Sequence, residues 1–384
     1  MLTRDDALAL DAADPLSRWR DEFVITDPAL VYLDGSSLGM MPLRTVARLE
    51  HVLHEEWANG LIRSWDDWLD LSQRVGDRLA LLIGARRGEV VVHDSTTINL
   101  YQLVDAACAL RPDRHVIAID AADFPTDRYV VDGIASARGL KVRGDFDQLD
   151  DVAVMVRSVV DYRTAAVTDV AGETARADAA GALAVWDLSH AAGVLAIDLT
   201  AAGVQLAVGC TYKYLNGGPG SPAFSFVARH LQPTLPQPIW GWFAQADQFE
   251  MGGTFEPQPD IRRVLLGTPS ILALAAAEEG IGVAVDAGIE SIESKARSLT
   301  GFALELCDQS GLASSTPRHP AARGGHVAVR HPDACRLVAE LAERGVITDF
   351  RNPDIVRVGC SPLTTRFTDV FDGLSALNAM IHPS

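Results

Sequence analysis

Short apolar runs alternate with amphipathic stretches through the first two thirds of the chain. The runs have the length of strands, are rich in Val, Ile and Ala, and end at charged residues or glycine; they lie at 89–93, 115–120, 152–160, 182–188 and 204–209. Helical periodicity precedes and separates them, at 43–60, 67–85, 98–110 and 126–139. Apolar strands that alternate with helices are typical of a mainly parallel sheet covered on both faces.

A smaller α/β unit is predicted for the last third. The elements that follow the proline-rich segment are two long helices, a strand, a helix and a strand, at 270–288, 291–311, 325–330, 333–345 and 355–359. We therefore expect an N-terminal segment, 1–42, that packs with the small domain, a large domain, 43–265, and a small C-terminal domain, 266–384.

Composition excludes several classes of function. The 384 residues carry 51 acidic and 33 basic side chains, a net charge of −18, whereas a protein that binds nucleic acid needs a face rich in Lys and Arg. The chain has no long uninterrupted apolar run, and acids occur early, so we expect no membrane span and no export. The five cysteines are spaced irregularly, without a disulfide or zinc pattern, and a cytoplasmic location is expected.

Polar clusters follow four of the predicted strands directly. They are 94-DSTTIN-99, 123-DFPTD-127, 187-DLSH-190 and 211-TYKY-214. In open α/β sheets, ligands bind beyond the carboxyl ends of the strands. We therefore expect these four clusters to form one site.

Lys213 is one of only three lysines, and all other basic residues are arginine. Its glycines, 217-GGPGS-221, come after it, whereas a P-loop has them before the lysine, and no GxGxxG follows a strand. An amine at a strand end beside Tyr212 can be desolvated and react with an aldehyde cofactor. We expect the other two, Lys141 and Lys295, at a strand edge and on an exposed helix face.

The other clusters match the remaining parts of pyridoxal phosphate (PLP). Hydroxyls and free amides at 94–99 suit a phosphate, although Ser and Thr there are also ordinary helix caps. Asp187 ends a buried strand and would pair with a pyridinium, with His190 beside the same ring, although a solvated turn is the alternative. Phe124 could stack on the ring or belong to the core. Together with Lys213, these residues meet each requirement of the cofactor.

At this point the chain resembles the kynureninase family, which are fold type I PLP enzymes, over nearly its full length. The stretches behind the resemblance are 32-YLDGSSLGMMP-42, 60-GLIRSW-65, 124-FPTD-127, 186-WDLSHAAG-193, 210-CTYKYLNGGPGSPAF-224, 241-GWF-243 and 356-VRVG-359. The implied fold is a large PLP-binding domain with a mainly parallel sheet and a smaller C-terminal α/β domain. The implied reaction is hydrolysis of the Cβ–Cγ bond of L-kynurenine to anthranilate and L-alanine.

The resemblance also implies residue roles. Lys213 would form the Schiff base and move the α-proton, Asp187 would hold the pyridine nitrogen, and Tyr212 would donate a proton during product release. The further cofactor contacts that it implies are Thr96, Thr97, Phe124, Asp127, Ser158, His190, Tyr212, Trp242 and Thr268. Trp242 and Thr268 would reach the neighbouring subunit's cofactor, which implies a homodimer with shared sites. The implied substrate contacts are Arg357, Ser36 and Trp57, with Arg357 on the α-carboxylate.

Three places depart from the family pattern. Ala244 and Gln245 replace Gly-His, 161-DYRTA-165 replaces Asn-Tyr-Lys-Thr-Gly, and Ser36 replaces Asn. A ring-substituted kynurenine or a related γ-keto amino acid therefore stays open as the substrate. Other functions also stay open: a cysteine desulfurase-like enzyme that uses Cys360, another fold type I PLP lyase that acts on a different amino acid, and a non-catalytic PLP-binding protein.

Overall fold

Residues 1–382 are described by a computed structural model, in which twelve strands form three sheets. The strands are β1 (Val31–Tyr32), β2 (Val90–His93), β3 (Val116–Ile119), β4 (Lys141–Arg143), β5 (Val152–Ser158), β6 (Leu183–Asp187), β7 (Leu206–Gly209), β8 (Ala223–Val227), β9 (His326–Arg330), β10 (Val346–Ile347), β11 (Asp349–Arg351) and β12 (Ile355–Gly359). The α-helices are α1 (Arg4–Ala13), α2 (Leu43–His51), α3 (Trp65–Trp68), α4 (Leu71–Ala80), α5 (Thr96–Ala109), α6 (Pro125–Arg138), α7 (Val170–Ala179), α8 (Ile271–Ala287), α9 (Ile289–Gln309), α10 (Ala334–Glu343) and α11 (Phe367–Ile381).

The central sheet has seven strands in the order β2-β8-β7-β6-β5-β3-β4. Only β8 runs antiparallel to its neighbours, and the other pairs are parallel. Since β8 separates β2 from β7, those two strands also point the same way. The carboxyl ends of β2, β3, β5, β6 and β7 therefore meet at one edge, and the predicted mainly parallel sheet is confirmed.

Both faces of this sheet are buried. Along β6, Ala184 and Trp186 pack in a core cluster with α4 and α8, whereas Leu183 and Val185 pack in a second cluster with α5 and α6. Successive side chains of a strand point to opposite faces. Continuous apolar runs such as 183–186 are therefore what a sheet covered on both sides requires.

The N-terminal segment packs against the C-terminal part of the chain. β1 pairs in parallel with β10, and Asp11 of α1 accepts hydrogen bonds from the first amides of α11, Phe367 N at 2.6 Å and Thr368 N at 3.1 Å. The antiparallel sheet β11-β12-β9 lies in the same region. Ala7 and Leu33 share its core cluster with Val356 and Val358.

The core clusters bear on where the small domain begins. Leu274 and Ile281 of α8, and Ile292 of α9, belong to a cluster of the central sheet, whereas the third cluster takes up α9 from Leu299 onward. We propose that the large domain extends through α8 into the first half of α9, rather than ending at 265.

Several element predictions needed correction. The predicted helix 43–60 is α2 followed by a π-helical segment, Val52–Gly60, and the predicted helix 67–85 is regular only over α4. α1, α7, α11 and the antiparallel β8 were not predicted, and β4 was predicted only as a strand edge at Lys141. No helix within residues 1–382 is long and apolar enough to cross a membrane.

The prediction of an exposed Lys295 was wrong. Its side chain is 7% exposed, and its Nζ lies 2.6 Å from a carboxylate oxygen of Asp14, which is equally buried. Burial lowers the pKa of Lys295, and the Asp14 carboxylate opposes that shift. The pair joins α9 to the segment after α1. Lys141 does lie exposed on the edge strand β4, as predicted.

We expect Lys295→Met to lower the free energy of unfolding by about 3–5 kcal/mol, because it leaves the Asp14 carboxylate buried without its cation. The double variant Lys295→Met/Asp14→Leu should recover most of this loss. Denaturant unfolding followed by circular dichroism measures both. The control is Arg318→Met, which breaks an exposed pair with Asp308 and should cost less than about 1 kcal/mol. Equal losses in the single and double variants would contradict this account.

Candidate functional site

Strand ends bring the predicted clusters to one edge of the central sheet. Asp187 is the last residue of β6, and Ser158 is the last residue of its parallel neighbour β5, directly opposite it in register. Asp94 follows β2, and Cys210 follows β7. The loop that holds Lys213 therefore begins at the same edge.

Glycines and hydroxyls fix the Lys213 loop. The Thr211 hydroxyl bonds to Ser221 and to a backbone carbonyl beyond it, and Gly217 N donates to Thr211 O at 2.9 Å. From the N-terminal segment, Gly39 N donates to Tyr212 O at 2.8 Å. A Cβ on Gly39 would lie 2.3 Å from Lys213 O, so only glycine permits this close approach.

The Lys213 amine is buried and faces an imidazole. The residue is 9% exposed, and its Nζ lies 3.3 Å from both ring nitrogens of His190. No carboxylate in residues 1–382 forms an ion pair with it, whereas Lys295 has one. The amine is therefore buried, lies next to an imidazole and is held by no ion pair, which leaves it available to condense with an aldehyde.

His190 is held neutral by its surroundings. Burial lowers its pKa well below the usual value, and the positive charges of Lys213 and Arg357 lower it further. Arg357 Nη1 lies 3.2 Å from His190 Nε2. Since a guanidinium can only donate, Nε2 accepts, and the imidazole proton lies on Nδ1.

Three carboxyl groups, those of Asp187, Asp127 and Asp123, lie close enough to one another to shift one another's pKa. Asp187 Oδ1 accepts from Ser189 N at 2.8 Å, and burial raises the pKa of Asp187 while the charge of Lys213 opposes that shift. Burial and the charges of Asp187 and Asp123 raise the pKa of Asp127 well above the usual range. Asp127 Oδ2 is buried without a hydrogen-bond partner among the described residues. Such groups call for a donor that residues 1–382 do not supply.

Ser158 and Phe124 are connected through Asp123. The Ser158 hydroxyl donates to Asp123 Oδ1 at 2.6 Å, and Phe124 N donates to the same oxygen at 2.8 Å. The Phe124 ring meets the Tyr162 ring edge-on, with centroids 5.2 Å apart. Tyr162 in turn accepts from Arg357 at its carbonyl oxygen, at 2.9 Å. One network thus links Phe124 to Arg357 and so to His190.

Thr96 and Thr97 are the first two residues of α5. Ser95, and neither threonine, caps this helix, since its hydroxyl accepts from Ile98 N at 3.4 Å. The amides of Thr96 and Thr97 lie in the first turn, where no intrahelical acceptor exists. Free amides of this kind are suited to bind an anion, and they lie at the edge that holds Asp187.

Arg357 of β12 is fully buried and uses all its donors. Nε and Nη2 bind the two carboxylate oxygens of Asp349 at 2.9 and 2.5 Å. Nη2 also donates to Ser37 Oγ at 2.7 Å, while Nη1 contacts Tyr162 and His190 as above. The guanidinium thus already binds one carboxylate in the bidentate manner expected for a substrate.

Ser36 is buried beside Arg357 without a partner for its hydroxyl. Its Oγ has no hydrogen bond among the described residues, and a Cβ on Gly359 would lie 2.3 Å from it. Asparagine, the family residue at this position, is larger. The shorter serine itself packs closely against Gly359.

The altered loops are well ordered by their own contacts. Asp161 Oδ1 accepts from Thr164 N at 2.6 Å and from Thr164 Oγ1 at 2.7 Å, which closes the 161–165 turn that presents Tyr162. Gln245 Oε1 accepts from Glu256 N at 2.8 Å, and Ala244 is fully buried. The Gln245 side chain is therefore engaged within its own loop.

The remaining predicted residues lie at the surface. Trp57 is 57% exposed, Thr268 is exposed and Trp242 is half-buried. Trp57 lines an apolar cavity of about 400 Å³ with Trp68 and residues 270–273. Within residues 1–382, no hydrogen bond or aromatic contact joins these three to the Lys213 cluster, so one chain does not bring them together with it.

Sequence reasoning missed two residues of the site, the partly buried Asp349 and the fully buried His326. Asp349 holds Arg357, and His326 of β9 lies with its ring centroid 5.9 Å from that of His190. Neither ring nitrogen of His326 has a hydrogen-bond partner among the described residues. Both residues lie on strands of the small sheet next to Arg357. Only the register of that sheet places them here, and no local motif marks it.

The donor set fits pyridoxal phosphate. It offers one buried amine at Lys213, one buried acid at Asp187 without a cationic partner in the described residues, and free amides at the start of α5. In residues 1–382, no cluster of His, Cys, Asp and Glu could hold a metal ion. The site therefore offers partners for an aldehyde, a ring nitrogen and a phosphate.

Solved structures with the same fold include an apo cysteine desulfurase from Thermococcus onnurineus NA1, with a TM-score of 0.81 at 17% identity over 97% of this chain and 98% of that one. A cysteine desulfurase from Escherichia coli gives a TM-score of 0.80 at 18% identity, over 95% of this chain and 98% of that one. At such identities the likeness concerns the fold, and it confirms the predicted fold type I architecture.

The sequence relatives are kynureninases. The kynureninase of Pseudomonas fluorescens is 43% identical over 99% of this chain and 96% of its own length, and that of Deinococcus radiodurans is 42% identical over 97% and 95%. A family model described as the kynureninase C-terminal domain matches residues 292–377. The chain belongs to the kynureninase family.

Proposed function

We propose that the protein is a PLP-dependent hydrolase that cleaves the Cβ–Cγ bond of L-kynurenine, or of a ring-substituted kynurenine, to give anthranilate and L-alanine. The main support is the buried Lys213 amine, which lies against His190 and has no carboxylate partner within the described residues. Membership of the kynureninase family supports the choice of substrate.

The proposed cofactor contacts follow from the site. Lys213 would bind the aldehyde carbon, Asp187 the ring nitrogen and the amides of Thr96 and Thr97 the phosphate, while Phe124 and His190 would lie against the ring. When bound, PLP supplies an aldehyde that condenses with amines and a ring that takes up electrons from a cleaved bond.

The side chains would then divide the remaining tasks. Arg357 would bind the α-carboxylate, and the Lys213 amine would hold and move the proton at Cα. Burial raises the pKa of Tyr212, so its hydroxyl keeps its proton at neutral pH and can donate it as the alanine part leaves. The Asp187 carboxylate would hold the ring nitrogen by accepting its hydrogen bond.

The substitution Lys213→Arg should abolish PLP absorbance above that of free cofactor and lower anthranilate release by about three orders of magnitude or more, because a guanidinium stays protonated. Spectroscopy and anthranilate fluorescence measure the two effects. The control is Lys141→Arg, on the exposed edge strand, which should retain both properties. A Lys213→Arg variant that kept turnover would exclude this role of Lys213.

The desulfurase alternative is disfavoured by the position of Cys360. This cysteine is fully buried, and burial raises its pKa to about 12. A mobile nucleophilic cysteine needs a thiolate that is accessible to the substrate. Cys360 instead packs in the core of the small domain with Leu33 and Val358.

We expect Cys360→Ala to retain anthranilate release from L-kynurenine within about twofold of the wild-type rate, since it removes only a small buried group. If the wild-type protein releases any sulfur from L-cysteine, the Cys360→Ala variant should release it at the same rate. A large loss of cysteine-dependent sulfur release on this substitution would favour the desulfurase.

The proposal includes a homodimer with shared sites. Large apolar side chains are exposed around Trp57, among them Leu61 at 58% and Ile62 at 72%. A row of aromatic contacts joins Trp68 to Trp65 and Trp65 to Trp242, each at 6.1 Å between centroids. Exposed apolar surface of this extent supports burial against a second copy. Trp242 and Thr268 would then contact the phosphate of the partner's cofactor.

The five free cysteines support a reducing compartment, and we extend the proposal to a cytoplasmic location.

A mixing experiment tests the shared site. Lys213→Ala lacks the amine, and Thr268→Asp places a negative charge on an exposed residue where it would repel the partner's phosphate. Each variant alone should be inactive. After mixing under exchange conditions, half the dimers would be hybrids with one intact site, so activity should return to about a quarter of the wild-type value. No recovery, despite proven subunit exchange, would contradict sharing through Thr268.

A further inference from the structure

Asp349 occupies the face of Arg357 that a substrate carboxylate would need. The two residues lie directly opposite each other in the antiparallel pair β11–β12. Asp349 binds Nε and Nη2 of the guanidinium with both carboxylate oxygens. The other donors of Arg357 go to Ser37, Tyr162 and His190, so no donor is left for a second carboxylate.

Arg351 offers Asp349 an alternative partner. It lies two residues along β11, on the same face, and its Nη2 already donates to Asp349 Oδ2 at 2.6 Å. Its Nε is buried and has no hydrogen-bond partner among residues 1–382. A small rotation of the Asp349 side chain would pair it with both Nε and Nη2 of Arg351, in the bidentate geometry that it now has on Arg357.

We propose that Asp349 sets the affinity of the site for amino-acid substrates. In the substrate-free protein it neutralises the buried Arg357, and on binding it passes to Arg351 while the incoming carboxylate takes Nε and Nη2 of Arg357. This inference rests on the proposed function of Arg357. The exchange leaves each guanidinium paired with a carboxylate, so the fully buried Arg357 is never without a counter-charge.

Removing the internal carboxylate should strengthen substrate binding. In Asp349→Asn the side chain keeps its size but loses its charge, so the ligand no longer competes with an anion for Arg357. The dissociation constant of L-alanine for the PLP-loaded protein, measured by titration calorimetry, should fall by about fivefold or more. L-alaninamide, which has no carboxylate, should bind the variant and the wild type equally.

A matched control is Asp354→Asn, which removes the carboxylate from an ion pair with Arg330 in the same small domain and should leave both affinities unchanged. Unchanged or weaker L-alanine binding by Asp349→Asn, with the alaninamide affinity kept, would overturn the exchange and make Asp349 a residue that only positions Arg357.

A crystal structure of the wild-type holoenzyme with L-alanine tests the exchange without any substitution. The carboxylate of Asp349 should lie on Arg351, with the carboxylate of alanine on Arg357. Asp349 still bidentate on Arg357, with alanine bound in the site, would overturn the proposal. These results stand apart from the proposed reaction, whose own failure would be a wild-type holoenzyme that binds L-alanine and releases no anthranilate from L-kynurenine.

Discussion

The alignment of parallel strand ends is the constraint on which the rest of the site depends. β5, β6 and β7 are buried on both faces, so their backbone groups pair along the sheet and polar side chains are displaced to its edge. Asp187, Ser158 and the loop that contains Lys213 all emerge there. The edge is lined by several ionisable groups with little solvent, and their pKa values shift accordingly. We propose that this environment, more than any single residue, suits the Lys213 amine to its role with the cofactor.

The second half of the site comes from the small sheet and the N-terminal segment. β12 places Arg357 against His190, and residues 36–39 close over both Gly359 and the Lys213 loop. In the proposed function, the edge of the central sheet would bind the cofactor and the small sheet would bind the substrate carboxylate. Asp349 gives Arg357 a counter-charge in the absence of ligand, so that a fully buried guanidinium does not stand alone.

Sequence patterns predicted the central sheet well and its surroundings less well. β5 and β6 were predictable because both faces are buried, which makes the run continuously apolar. The antiparallel β8 follows a glycine-rich loop and gives no signal of its direction, and β4 is a short, exposed edge strand. Lys295 was placed on an exposed face because its neighbours are polar, and its partner Asp14 is remote in sequence. Long-range pairing, rather than local pattern, decided these cases.

The residues of the site also fall into those that local sequence predicts and those that it does not. Lys213, Asp187 and His190 follow strands and carry recognisable chemistry, so they were predictable from the sequence, and the structure brings them together. The positions of Asp349 and His326 depend on the register of a small antiparallel sheet, and no sequence motif identifies these residues. Trp57, Trp242 and Thr268 lie apart from this cluster within one chain, and their proposed role needs a second copy.

The central claim is that this chain hydrolyses L-kynurenine with PLP at Lys213. The most direct measurement mixes the PLP-loaded protein with L-kynurenine and follows anthranilate by fluorescence while alanine is quantified. The account predicts release of anthranilate and L-alanine in equal amounts. Visible cofactor binding without release of either product would contradict it.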